Sequence, residues 1–275
     1  MDKVVAGAQE AVADIPDGAV LAVGGFGLCG VPFALIDALL EQGTRNLTTI
    51  SNNCGVEDQA LGVLLYAGRI RRTISSFVGG SKEVARLYLS GELEVELTPQ
   101  GTLAERLRCG GIGIPAFYTP TGGGTLVADG GIPFRYDAQG DVVATSEPKE
   151  VRVFDGHRYV LETALTADFG LVRAATGDRH GNLWFHESAR NFNPLAGMAG
   201  RITIAEVEEL VEPGEIRPED VHLPGVFVDR VVVVGPEGKK IEKRTTRPRT
   251  DTSATPAAAG EEVGPGSAGD QRESS

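Results

Sequence analysis

Three short stretches carry residues that could do chemistry. The first is a glycine-rich run, Gly24 to Gly30, in which Gly25-Phe26-Gly27-Leu28-Cys29-Gly30 matches G-x-G-x-x-G. Such a run between a strand and a helix either cradles phosphate with its backbone N–H groups or simply makes a tight turn. The second is Asn52-Asn53, two neutral amides that either donate hydrogen bonds without adding charge or shape a turn. The third is Gln100, a further neutral donor, in Leu97-Thr98-Pro99-Gln100-Gly101. Neutral donors around one glycine loop suit stabilisation of an oxyanion that develops during reaction. No clear nucleophile accompanies them. No G-x-S-x-G elbow occurs, and His157, His180, His186 and His222 have no obvious Ser or Cys to pair with.

These stretches need elements to position them. Residues 19–23 form a short apolar run ending at Gly24, which reads as a buried strand. Pro32 suits the first position of a helix, Leu35, Ile36, Leu39 and Leu40 give that helix an apolar face, and Gly43 fits the cap after it. Further strands are expected at 47–51, 70–78 and 94–97, and helices at 58–67, 81–90 (with Ser81 as N-cap) and 102–108. This alternation implies an α/β fold with an open, mostly parallel, doubly wound sheet. In such a sheet ligands bind at the carboxyl ends of the strands, where the glycine loop, Asn52-Asn53 and Gln100 would all sit.

The dinucleotide reading of the glycine loop makes a further demand. An acidic residue should end the second strand, about 20 residues on, to hold a ribose hydroxyl. Ser51-Asn52-Asn53 stands there instead, and the first carboxylate is Glu57. A nicotinamide cofactor is therefore disfavoured.

Beyond residue 110 the character changes to a β-rich middle segment. Residues 110–131 are dense in Gly, Pro and Thr and read as a long loop that is functional or packs over a site. Residues 151–154 and 158–161 flank Asp155-Gly156, a hairpin signal, and β-rich runs follow at 169–175, 201–207 and 226–234. No internal repeat is evident. One domain is expected over 1–244. Residues 245–275 hold almost no large apolar side chain and read as a disordered tail.

A formal net charge of −12 argues against a nucleic-acid partner and against an anionic membrane surface. The uncharged stretch 19–36 is broken by five Gly or Pro residues, so a spanning helix is not expected there. Cys29, Cys54 and Cys109 are odd in number and far apart, without metal-ligand spacing, and read as reduced, buried thiols of a cytoplasmic protein.

Longer motifs then resemble a known family. Val23-Gly24-Gly25-Phe26-Gly27-Leu28-Cys29-Gly30-Val31-Pro32 is similar to the N-terminal signature of class I CoA-transferases, and Ser51-Asn52-Asn53-Cys54-Gly55 to that family's S-N-N-x-G. Val95-Glu96-Leu97-Thr98-Pro99-Gln100-Gly101-Thr102-Leu103-Ala104-Glu105-Arg106 and Gly113-Ile114-Pro115-Ala116-Phe117-Tyr118-Thr119-Pro120-Thr121-Gly122 are long matches. His180-Gly181-Asn182-Leu183 and Ala189-Arg190-Asn191-Phe192-Asn193-Pro194 agree as well. The resemblance covers roughly residues 1–240 and is strongest to the A subunits of two-subunit 3-oxoacid CoA-transferases.

The resemblance implies a subunit inactive alone, whose B partner supplies a nucleophilic glutamate. The B-type Glu motif is absent, and the nearest Glu-Gly is Glu237-Gly238. It implies ping-pong transfer of CoA from succinyl-CoA to a 3-oxo acid such as acetoacetate, with CoA as substrate and no permanent cofactor. Gln100 is implied as an oxyanion donor, Asn52 and Asn53 as positioning groups, and Gly24, Gly25, Phe26, Gly27, Leu28, Cys29 and Gly30 as the CoA side of the site. Three alternatives stay open: a 3-oxoadipate or other short-chain acid transferase, an NAD-dependent oxidoreductase, and a non-catalytic subunit that senses acyl-CoA.

Overall fold

The computed structural model describes residues 1–236 and 240. They lie in the compact unit Met1–Glu242, and the unit Lys243–Ser275, with the expected tail and its boundary at 244/245, lies outside the described residues. The first half alternates as the periodicity predicts. α1 (Ala8–Val12) precedes β1 (Val20–Val23), α2 (Phe33–Gln42), β2 (Leu47–Asn53), α3 (Leu61–Tyr66), β3 (Ile70–Phe77), α4 (Lys82–Leu89), β4 (Glu94–Leu97) and α5 (Gln100–Gly111). Ser81 caps α4 by accepting from Val84 N–H, and Gly43 closes α2 in the left-handed conformation.

The middle segment holds two small antiparallel sheets. β5 (Ala116–Thr119), β8 (Val151–Phe154) and β9 (His157–Thr163) make one, and β6 (Pro133–Tyr136) and β7 (Val142–Thr145) the other, with the short α6 (Leu126–Asp129) between β5 and β6. The stretch 110–131, expected as one long loop, thus contains a strand and a helical turn. The chain then returns to the main sheet through β10 (Ala167–Asp178), β11 (Leu183–Trp184), α7 (Asn193–Ala199), β12 (Gly200–Val211) and β13 (Arg230–Val233).

The main sheet runs β13-β12-β10-β1-β2-β3-β4, all parallel, and β11 pairs antiparallel with the end of β10. Alternate residues feed two cores, as a sheet covered on both faces requires. Leu21 and Val23 pack with Leu35, Leu39 and Leu64 from α2 and α3, while Ala22 packs with Leu103 and Leu107 of α5 and Ala196 of α7. Outward from β1 the order runs to β4 on one side and to β13 on the other. The switch point is the β1–β10 crevice, and it opens at Gly24.

Two differences from the expected elements matter for the site. α3 begins at Leu61, not 58, because Val56 and Gln59 pair across a tight turn whose Glu57 (φ 47°) and Ala60 (φ 55°) are in conformations a helix does not admit. α5 begins at Gln100 itself, so its first residue lies at the sheet's carboxyl rim.

Candidate active site

Gly24 leaves β1 while still donating to Leu171 O on β10 (2.9 Å). Phe26 and Cys29 then exchange backbone hydrogen bonds of 3.0 Å each, closing a two-residue turn. Leu28 tucks into the core at 5% exposure, whereas Phe26 stands out at 48%. Cys29 is exposed as well, a correction to the expectation of three buried thiols; only Cys54 and Cys109 are buried. A position on a turn at the sheet rim, rather than on a strand or helix face, leaves its sulfur open. Burial pushes the Cys54 thiol up to about 11, although hydrogen bonds to Thr73 and Thr49 pull the other way.

The turn is clamped from outside. Asn193, fully buried at the start of α7, donates through Nδ2 to Gly30 O and Ala189 O (2.8 Å each), and its Oδ1 accepts from Arg173 N–H (3.0 Å). A Cβ on Gly30, at φ +71°, would stand 2.8 Å from that Nδ2, and one on Gly24 would collide with the same side chain. Packing within the chain therefore already requires glycine at both positions, whatever else approaches them. Asn191 adds a bond from Nδ2 to Cys29 O (3.1 Å). The sequence motif around Asn193 served only as a family marker; nothing in its spacing showed a contact across more than 160 residues.

The three expected stretches do converge. Gln100 Nε2 donates to Asn52 Oδ1 (2.8 Å), Asn52 Nδ2 to Asn53 Oδ1 (3.3 Å), and Gly27 N–H to the same Asn53 oxygen (3.1 Å). Ser76 at the end of β3, which no sequence motif singles out, donates to Asn52 Oδ1 (3.0 Å). Asn53 completes its set by donating to Gly55 O (3.1 Å). The result is a train of uncharged groups from α5 through β2 to the glycine turn, and none of these bonds involves a carboxylate. Asn52 is buried at 3% exposure while Gln100 is exposed, and the bond to Asn52 engages one of the two Gln100 side-chain N–H groups.

A cleft of about 220 Å3, counting its open mouth, lies beside this train. Val23, Gly24, Gly25, Gly27 and Val31 line one wall, and Ser51, Asn53, Gly55, Ala60 and Leu61 the other. The histidines stand elsewhere. His222 Nδ1 accepts from Phe185 N–H (3.0 Å), and burial, with the Arg190 charge, holds its pKa below the ordinary value. Among the described residues no group of three or more His, Cys, Asp or Glu is placed to hold a metal ion, and no helix is long and apolar enough to cross a membrane.

The chain is similar to known proteins over most of its length. The family model described as Coenzyme A transferase matches residues 5–234. The chain is 66% identical over 247 residues to the A subunit of the probable succinyl-CoA:3-ketoacid coenzyme A transferase of Mycobacterium tuberculosis, covering 90% of this chain and all of that one. It is 52% identical over 238 residues to the mitochondrial succinyl-CoA:3-ketoacid coenzyme A transferase 2 of Homo sapiens, covering 86% of this chain but only 45% of the relative. The solved acyl-CoA transferase YdiF of Escherichia coli O157:H7 superposes with a TM-score of 0.72 at 27% identity, over 84% of this chain and 47% of that one. Beside the human and Escherichia coli proteins the chain spans about half a protein. An uncharged donor train at the rim of a doubly wound sheet and matches of this extent lead to one conclusion: the chain belongs to the coenzyme A transferase family.

Proposed function

We propose that this chain is the A subunit of a succinyl-CoA:3-oxoacid CoA-transferase, working only with a B subunit that carries the attacking glutamate. The observation that carries the reading is the train Gln100–Asn52–Asn53–Gly27, which supplies donors at the sheet rim without a carboxylate. The name of the mycobacterial relative, and the longer human and bacterial chains of which this one matches about half, support a second polypeptide.

In this reading the partner's glutamate attacks the thioester carbon of succinyl-CoA. An acyl-glutamyl anhydride forms and CoA leaves as thiolate. The thiolate attacks the glutamyl carbonyl, succinate leaves, and CoA remains as an enzyme thioester. The carboxylate of acetoacetate then takes CoA by the reverse sequence. A carboxylate nucleophile of this kind divides one hard transfer into easier steps. Each tetrahedral intermediate places negative charge on oxygen. Gln100, oriented by Asn52, offers its second N–H to that oxygen, where a fixed donor counts most. The turn Gly24 to Gly30 flanks the CoA side. CoA is a substrate in this scheme and no resident cofactor is required. The acidic chain is assigned to the cytoplasm.

The test is transfer of CoA from succinyl-CoA to acetoacetate, measured with this chain by itself, with the co-expressed B chain by itself, and with both. Turnover is expected only with both. Turnover by this chain alone contradicts the reading. So does an assembled pair without turnover.

A further inference from the structure

The segment between β11 and α7 is fastened to the outside of the glycine turn. Ser188 Oγ meets Cys29 Sγ (3.4 Å), and Asn191 Nδ2 donates to Cys29 O (3.1 Å). Asn193 Nδ2 ties Ala189 O and Gly30 O together (2.8 Å each). Within the segment Glu187 is held at φ 46°, a conformation uncommon for a residue with a Cβ and one that clusters at ligand clamps. The train from Gln100 to Gly27 does not use this segment, yet it stands against the turn assigned to the CoA side.

Two kinds of group meet there. The first is aromatic. Trp184, the only tryptophan of the chain, is partly exposed, with the His186 ring edge-on at 5.6 Å and the His222 ring closer to parallel at 6.2 Å. Burial and the Arg190 charge hold the His222 pKa below its ordinary value, so that ring stays neutral at physiological pH. The second is cationic. Arg190 is exposed and, among the described residues, meets no carboxylate, whereas Arg72, Arg86, Arg106, Arg152 and Arg179 of this acidic chain each meet one. The nearby Glu187 carboxylate lies 3.9 Å from His186 Nδ1. Arg190 acts on His222 and His222 lies against Trp184, so guanidinium and indole flank one ring. An indole face beside an unpaired guanidinium can hold a nucleotide: the base stacks on the ring and the fork grips phosphate. CoA ends, opposite its thiol, in an adenosine that carries a 3′-phosphate and a diphosphate.

We propose that Trp184 and Arg190 form the subsite for the nucleotide end of CoA, with the adenine on the indole and the 3′-phosphate on the guanidinium. The subsite rests on the transferase reading above. Its first test is fluorescence of the assembled A–B pair, in which subtracting the Trp184→Phe pair isolates the Trp184 emission. Adenosine 3′,5′-bisphosphate is expected to quench that emission saturably. Arg190→Gln should raise the midpoint about tenfold, the scale of one charge-assisted phosphate contact. The second test is turnover. Arg190→Gln should raise KM for succinyl-CoA by a similar factor, with the effect in KM rather than kcat, because a contact remote from the reacting carbon holds ground and transition states alike. With succinyl-dephospho-CoA, which lacks the 3′-phosphate, the same substitution should leave KM where it is. Absent quenching overturns the proposal. So does a KM that Arg190→Gln leaves unchanged, or raises equally, with both substrates. An inactive pair whose Trp184 is still quenched overturns the transferase reading instead and leaves a nucleotide subsite standing.

Discussion

Gln100 is held by Asn52, which is itself held by Ser76 and linked to Asn53, so the donor reaches the rim already oriented. Such pre-orientation gives an oxyanion donor its worth, and losing one donor typically costs on the order of 10²–10³ in kcat. Gln100→Ala in the assembled enzyme is therefore expected to lower kcat by that factor while co-purification with the B subunit survives; unchanged turnover rules the role out. The thiols offer a second check at this scale. Cys29 is exposed, while Cys54, its thiol raised to about 11, and Cys109 are buried. A thiol reagent applied to the isolated native chain at mildly alkaline pH should modify one cysteine, mapped to Cys29, and all three after unfolding. Labelling of Cys54 in the native state would contradict the burial described. Gln100, Asn52 and Asn53 were legible in the sequence because each lies at or just beyond the carboxyl end of a strand, a known edge. Asn193 was not, since its partners Gly30 and Arg173 are distant in sequence and only the fold brings them together.

α5 carries Gln100, and a partly buried ion cluster ties that helix to its surroundings. Arg106, two turns along α5, donates to Glu96 on β4 (2.8 Å) and to Thr163 O on β9 (2.8 Å), and Glu96 also accepts from Arg72 on β3 (2.6 Å). Arg106 is 8% exposed. Arg106→Ala removes the donor to Thr163 O and one of the two charge-assisted bonds to Glu96, together with the packing of a buried side chain, and is expected to cost about 3 kcal/mol. That corresponds to a Tm lower by roughly 6–12 °C for a domain of this size. A shift within error would contradict the accounting. Burial alone would raise the pKa of Glu96, but Arg106 and Arg72 outweigh it and hold the carboxyl below the ordinary value of 4.5. A lowered folded-state pKa contributes stability above the unfolded value and loses it as pH falls through the folded one. Urea unfolding should therefore show Glu96→Gln weaker than wild type near neutral pH, with the gap closing as pH drops below 4.5. A gap independent of pH would contradict the assignment. Element types were readable wherever a period was sustained, as in β1 to α5. The turn 55–60 was missed because Glu57-Asp58-Gln59-Ala60 has helix-forming composition, and only its pairing across Val56 and Gln59 excludes a helix.

At the scale of the molecule, the sequence implied the parallel sheet from its first half. It did not reveal that β10, β12 and β13 extend the sheet on the far side of β1. Strand order depends on long-range pairing such as Leu21 with Phe169, which local periodicity does not encode. That order puts the switch point beside the glycine turn and makes the carboxyl rim a site. The rim, as built, carries uncharged donors, and the proposed function leaves the attacking carboxylate to a second chain. Trapping the covalent intermediate tests this division of labour most directly. The assembled pair is incubated with succinyl-CoA without acceptor, the chains are separated, and each is weighed intact by mass spectrometry. A CoA-sized increment on the B polypeptide, with this chain at its unmodified mass, is the expected result. The same increment on this chain would contradict the account.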